Sequence, residues 1–309
     1  MVRPTIGVLS IGDMGVGIAK LLLANNYRVA TSVSNRSEAT KKRAQEANIT
    51  LVNNDSDLAH QVDFFLSIVP PRDALATAQR IAAAKSALES RKTPLWYLDL
   101  NAIAPKTSRQ IADVFNPFQH QITFLDGGII GGPPSPKPDT PHEWKKPSVV
   151  ISGPSKLADH PSGYGTDLAS LLNIKHVADE IGPASGLKMC FASTTKGLTA
   201  IAIQSFTTAS RLGVLEELRE HLGVYSPKTG ALAEAGVKGM PSKAHRWVEE
   251  MRQIGETFRE DGGWEAEAGI FQGAAEVYRF VAGVEGVAGE KGLDVERVVD
   301  GLVGKLKRE

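Results

Sequence analysis

Cysteine is nearly absent from this chain: Cys190 is the only one in 309 residues. No intrachain disulfide can form, and a reducing compartment is expected. Excess charge is missing too. Lys plus Arg number 35 and so do Asp plus Glu, so no global field draws the chain to nucleic acid or to an anionic membrane. No apolar run reaches the roughly 18 residues a membrane helix needs, and no charged-then-apolar leader opens the sequence. A soluble, cytoplasmic protein with a small neutral or anionic ligand is the expectation. The seven histidines (His60, His120, His142, His160, His176, His221 and His245) fall at no metal-ligand spacing, so no metal is expected. Internal repeats are also lacking.

What is present is enough apolar material, 42% of the residues, for a full core and two domains. In the first half, short apolar runs ("TIGVLS", "YRVATSV", "FFLSIV", "LWYLDL", "ITFLDGGII", "SVVIS") alternate with helical stretches such as "ALATAQRIAAAKSAL". That alternation predicts an α/β fold, a Rossmann-type doubly wound sheet over residues 1–182. From "EIGPASGLKMCF" onward the pattern turns helical, with Pro183 suited to the first turn of a long connecting helix. In "KAHRWVEEMRQIGETFRE", Trp247, Met251, Ile254 and Phe258 form one apolar stripe. Residues 183–309 are therefore expected to be an all-helical domain.

The stretch "GVLSIGDMGVG" has the outline of a dinucleotide-binding turn, with Ser10 in place of the first glycine ahead of Gly12 and Gly15. The first glycine eases the turn out of the strand, the second admits a pyrophosphate and the third lets helix and strand pack closely. A serine serves the first role if its φ stays negative. The helix that follows, with Ile18, Leu21 and Leu22 on one side, would aim its N-terminal amides at the loop. The second strand ends in Ser34, Asn35, Arg36 and Ser37, with no carboxylate until Glu38. A cation where a ribose-binding acid would otherwise sit matches a 2′-phosphate, and so NADP.

Residues 131–147 carry six prolines, consistent with a stiff surface excursion or with a lid over the site. Cys190 reads as a core residue. Lys196 reads as an exposed or interface residue, with a second active-site cation as the alternative.

Taken in register, "SIGDMGVGIAKLL", "SNRS", "FFLSIVPP", "LDLNAIAPKT", "FLDGGIIGG" and "GPASGLKMCFASTTKG" resemble the β-hydroxyacid dehydrogenase and 6-phosphogluconate dehydrogenase superfamily. The later stretch "AHRWVEEMRQIGETFREDGG" is similar to the branch with its own phosphogluconate-dehydrogenase-type C-terminal domain. The resemblance implies cofactor contacts from Ser10, Ile11, Gly12, Asp13, Met14, Ser34, Asn35, Arg36, Ser37, Ile68, Val69, Pro70 and Pro71. It implies Asn101 near both nicotinamide and substrate, backbone contacts to a substrate carboxylate from Gly131 and Gly132, and Lys188 as the catalytic lysine. Two positions depart from the family pattern: Ile130 replaces a serine and Ala192 an asparagine. A site without those polar partners should reject 6-phosphogluconate. Thr195, one further helical turn past Ala192 along the Lys188 face, is a candidate substitute.

The expectation is an NADP-dependent oxidoreductase acting on a small hydroxy acid or carbonyl compound, paired as a homodimer through its helical domain. An imine reductase or reductive aminase of the same architecture is the enzymatic alternative. A non-catalytic NADP-binding protein is the alternative of another class.

Overall fold

The computed structural model describes residues 3–34, 36–265 and 269–306. It divides into two compact units, Met1–Lys188 and Met189–Glu309. The division falls inside a long helix rather than at the Gly182–Pro183 step that opens it.

In the first unit the strands are β1 (Thr5–Leu9), β2 (Arg28–Ser32), β3 (Thr50–Val52), β4 (Phe64–Ser67), β5 (Leu95–Asp99), β6 (Ile122–Ile130), β7 (Ser135–Pro136), β8 (Trp144–Lys145), β9 (Ser148–Ser152) and β10 (Ile174–Ala178). Eight of them form one sheet in the order β10-β9-β6-β5-β4-β1-β2-β3, and β7 pairs with β8 as a separate hairpin. Neighbours in the sheet are parallel except β6 and β9, which are antiparallel. The connecting helices are α1 (Asp13–Ala24), α2 (Glu38–Glu46), α3 (Asp55–Gln61), α4 (Ala74–Ala83), α5 (Lys85–Glu89), α6 (Pro105–Phe115) and α7 (Gly165–Leu171).

Side chains alternate across a strand, and here both faces are buried, as parallel sheets require. Phe64, Leu66, Trp96 and Leu98 pack with Ile18, Leu21 and Leu22 of α1 on one face. Phe65 and Tyr97 stack at 4.9 Å on the other, beside Ile81 of α4 and Ile111 of α6. The strand order reverses at β1, which has β2 on one side and β4 on the other. The crevice beyond the strand ends at such a reversal is where these sheets take ligands.

Helix α8 (Pro183–Leu212) opens in the first unit and continues into the second, which adds α9 (Leu215–Tyr225), α10 (Pro227–Gly239), α11 (Ala244–Glu260), α12 (Gly269–Ala282) and α13 (Val295–Leu306). The α11 stripe packs on α12 at two aromatic pairs, Trp247 with Tyr278 at 5.2 Å and Phe258 with Phe271 at 4.7 Å, while Met251 and Ile254 are fully buried. Lys196, expected as an exposed or interface residue, is largely covered within the second unit: it pairs with Glu250 and lies 5.3 Å from the Trp247 ring centre. Cys190 departs the other way and is exposed, because the α8 face it shares with Phe191 and Thr194 turns outward. No helix among the described residues is long and apolar enough to cross a membrane.

Candidate active site

The turn between β1 and α1 gives its three positions different jobs. Ser10 is not among the residues with positive φ. Its amide donates to the Ile68 carbonyl at 3.2 Å, tying the loop to the end of β4. Gly12 precedes α1 in extended conformation, and a Cβ built on it would meet nothing within 4 Å. Open space therefore lies over the first-turn amides, including those of Asp13 and Met14, which have no carbonyl upstream in the helix. Gly15 is the tight position, since a Cβ there would stand 1.9 Å from the Ser10 carbonyl oxygen. From α2, Arg43 donates to the Ile11 carbonyl at 2.8 Å and braces the loop from below. A dinucleotide's pyrophosphate fits this cradle, because the space left open at Gly12 is on the side where α1 concentrates positive dipole.

Beyond the loop, a cavity of about 560 Å³ is lined by Ser32, Ser34, Arg36, Asn54, Thr77 and Arg80, among others. Arg80 is committed to Asp55 at 2.7 Å, whereas the Arg36 guanidinium makes no ion pair among the described residues. Ser37 caps α2, accepting from the Thr40 amide at 3.3 Å. Asn35 lies outside the described residues.

On the other side of the switch point, Ile68, Val69, Pro70 and Pro71 lead out of β4. Asn101 lies beneath this turn, 2% exposed, with its side chain already engaged. Its Oδ1 accepts from the Val69 amide at 2.6 Å, and its Nδ2 donates to Ser67 Oγ at 2.9 Å and Asp99 Oδ2 at 2.8 Å. The residue braces the turn. Burial raises the neighbouring Asp99 carboxyl to about 7, with Asp126 adding to the rise and the hydrogen bonds from Asn101 opposing it.

Two features of β6 carry no assignment in the sequence reading. Asp126 Oδ1 accepts from Ser108 Oγ at 2.7 Å and from Ser185 Oγ; Oδ2 accepts from Ser152 Oγ at 3.0 Å and from the amides of Gly182 at 3.1 Å and Ser185 at 3.0 Å. This buried carboxylate, with Ser152 Oγ accepting from the Ala184 amide at 3.0 Å, satisfies the first turn of α8 and holds the helix to the sheet. Two residues on, Gly128 faces the lysine: a Cβ there would lie 2.8 Å from Lys188 Cβ and 3.1 Å from Lys188 Cγ. The double glycine inside an otherwise apolar strand was the available sign of such a close approach. Burial lowers the Lys188 ammonium to about 8, so the amine can exchange a proton near neutrality. Gly131, φ +121°, turns the chain out of β6, and nothing lies within 4 Å of a Cβ built on Gly132. Thr195, in the second unit, is exposed and returns its hydroxyl to the Phe191 and Ala192 carbonyls, both at 3.3 Å.

Comparison with known proteins agrees with this geometry. Residues 5–138 match the NAD binding domain of 6-phosphogluconate dehydrogenase, and residues 209–281 match a domain of unknown function. An uncharacterized 28.5 kDa protein from the 7S RNA 5′ region of Methanothermus fervidus is 27% identical over 255 residues, 80% of this chain and 89% of that protein. Among solved structures, Mycobacterium tuberculosis 3-hydroxyisobutyrate dehydrogenase with L-serine is 16% identical at a TM-score of 0.65, covering 97% of this chain and 99% of that one. An imine reductase from Myxococcus stipitatus in complex with NADP+ is 20% identical at 0.54, covering 96% and 99%. The two structures share the fold, and the first unit is a domain for a nicotinamide dinucleotide.

Proposed function

Because residues 5–138 match the NAD binding domain of 6-phosphogluconate dehydrogenase, we propose that this chain is an NADP-dependent oxidoreductase of the 6-phosphogluconate and β-hydroxyacid dehydrogenase type acting on a small hydroxy acid or carbonyl compound, with Lys188 as general acid and base. The carrying observation is the lysine itself, desolvated and seated against the side-chain-free Gly128 of β6, inside a dinucleotide-binding sheet. A bound nicotinamide supplies or accepts the hydride. In reduction the Lys188 ammonium gives its proton to the carbonyl oxygen, and in oxidation the neutral amine takes it from the hydroxyl. Gly131 and Gly132 offer backbone amides to the substrate carboxylate. Asn101 acts from beneath, by fixing the turn at Val69.

Ile130 and Ala192 favour a substrate poorer in hydroxyl groups than a sugar acid, which keeps reduction of an imine as a second reading. Absorbance-monitored NADPH oxidation against a panel of hydroxy acids, 2-oxo acids, ketones and cyclic imines tests both. Turnover of one class selects it. Tight NADPH binding with no turnover of any of them contradicts an enzyme and favours a binding protein.

The uncommitted Arg36 supports NADP over NAD. NADPH should bind more tightly than NADH by about 1.5–3 kcal/mol, the range of a charge-assisted contact, and Arg36→Asp should narrow or reverse the preference. Equal affinities of the unmutated protein in a fluorescence titration would sink the assignment.

Assembly is part of the same proposal. The second unit leaves Leu212 72%, Val224 66% and Tyr225 81% exposed, with Ile201, Leu232 and Ile270 also exposed, more apolar surface than a lone helical domain keeps in water. A second copy of the chain covering it gives a homodimer. Light scattering at micromolar concentration should return twice the chain mass, and a monomer mass contradicts the pairing.

A further inference from the structure

Gly17 belongs to neither the glycine pattern of the turn nor the apolar side of α1, yet it is a buried glycine in a helix interior, where alanine is the better helix former. A Cβ built there would stand 3.0 Å from Pro134 Cδ, 3.0 Å from the Pro134 carbonyl oxygen and 3.1 Å from Pro133 Cβ. Those prolines directly follow Gly131 and Gly132. The segment is held elsewhere as well. Pro147 lies against Gly131 at the base, Lys137 and Glu143 pair across the hairpin, and Trp144 packs on the core that contains Ile18 and Leu21 of α1. The proline-rich stretch is therefore a strap laid across the cofactor-binding helix, and its first residues are the glycines assigned to the substrate.

We infer that Gly17 is a positioning residue whose missing side chain seats the Pro133–Pro134 step on α1 and so sets where the Gly131–Gly132 backbone stands relative to the cofactor, determining substrate affinity. The inference rests on the proposed role of that glycine pair. Stiff prolines transmit a displacement instead of absorbing it, because their φ is fixed. A methyl at position 17 has to lift the strap by a few tenths of an ångström, moving the glycines while leaving the Gly12 cradle one helical turn away in place.

Gly17→Ala tests this in the full-length protein. Hydrogen exchange across residues 131–147 needs no substrate: it should quicken by about tenfold in the variant while α1 keeps its protection. Unchanged exchange overturns the seat, whether or not the protein proves to be a dehydrogenase. On whichever substrate the panel yields, KM should rise by about tenfold with NADPH affinity within about twofold. Pro134→Ala in the same chain should recover most of the lost affinity, as a contacting pair does in a double-mutant cycle. A KM that stays put, or an NADPH loss equal to the KM rise, overturns the inference. A panel without any turnover counts against the functional reading alone, and exchange then decides the seat.

Discussion

Lys188→Met should lower turnover by about two orders of magnitude or more while NADPH affinity changes by less than about twofold. Methionine keeps the length and apolar bulk that pack against Gly128 but carries no proton. The same substitution should make the protein more stable. The folded lysine titrates at about 8 against an ordinary 10.5, because burial disfavours its charge. Unfolding then takes up a proton between those values. The cost to the folded state is complete below about pH 8 and fades as pH rises toward 10.5. Removing the charge should gain about 3 kcal/mol at neutral pH, measured by denaturant unfolding, with the gain shrinking in alkaline buffer. A loss of activity accompanied by a loss of stability would instead mark Lys188 as a structural residue. A variant that keeps its turnover would move the proton donor away from Lys188, with solvent next in line.

Gly12→Ala and Gly15→Ala should part fold from function. Nothing lies within 4 Å of a Cβ on Gly12, so the alanine variant should fold with a Tm within a few degrees of the parent. Its methyl would occupy the approach to the first-turn amides and weaken NADPH binding by about a hundredfold, or about 2.7 kcal/mol. At Gly15 the 1.9 Å separation from the Ser10 carbonyl leaves no such option. The helix must lift off the strand, and Tm should fall by about 5–10 °C along with cofactor binding. Calorimetry and a fluorescence titration on each variant check both. If Gly12→Ala kept full affinity for NADPH and NADH, the pyrophosphate would have to bind elsewhere.

The strands that hold the first unit together announced themselves because long apolar runs bounded by turn residues can only be buried. β1, β2, β4, β5, β6 and β9 all fall on such runs. β3 spans only three residues and starts at an exposed Thr50, too short for a period to register, and β7 and β8 are two residues each among prolines. The turn at Ser10 to Gly15 was legible as a local motif, its constraints acting within a few residues. Gly17 was not, since what forbids a side chain there is Pro134, far along the chain, and at Gly128 the paired glycines signalled a close approach without naming Lys188 as what approaches. Asp126 looked like an interruption of an apolar strand; its meaning depends on amides at Gly182 and Ser185 that only the fold brings near. The resemblance puts Asn101 near the nicotinamide, but a sequence does not reveal that all its polar atoms are engaged inward. Cys190 and Lys196 exchanged their expected surroundings for the same reason. Spacing along α8 says which residues share a face, not which face is covered.

The proton carried by Lys188 can be followed through the pH dependence of kcat for NADPH-driven reduction of the substrate the panel identifies. The ammonium is the donor in that direction, so kcat should hold steady in mildly acidic and neutral buffer and fall about tenfold per pH unit above about 8, a limb that disappears in the residual activity of Lys188→Met. A profile that stays flat well into alkaline buffer, or the same limb in both proteins, would contradict the account.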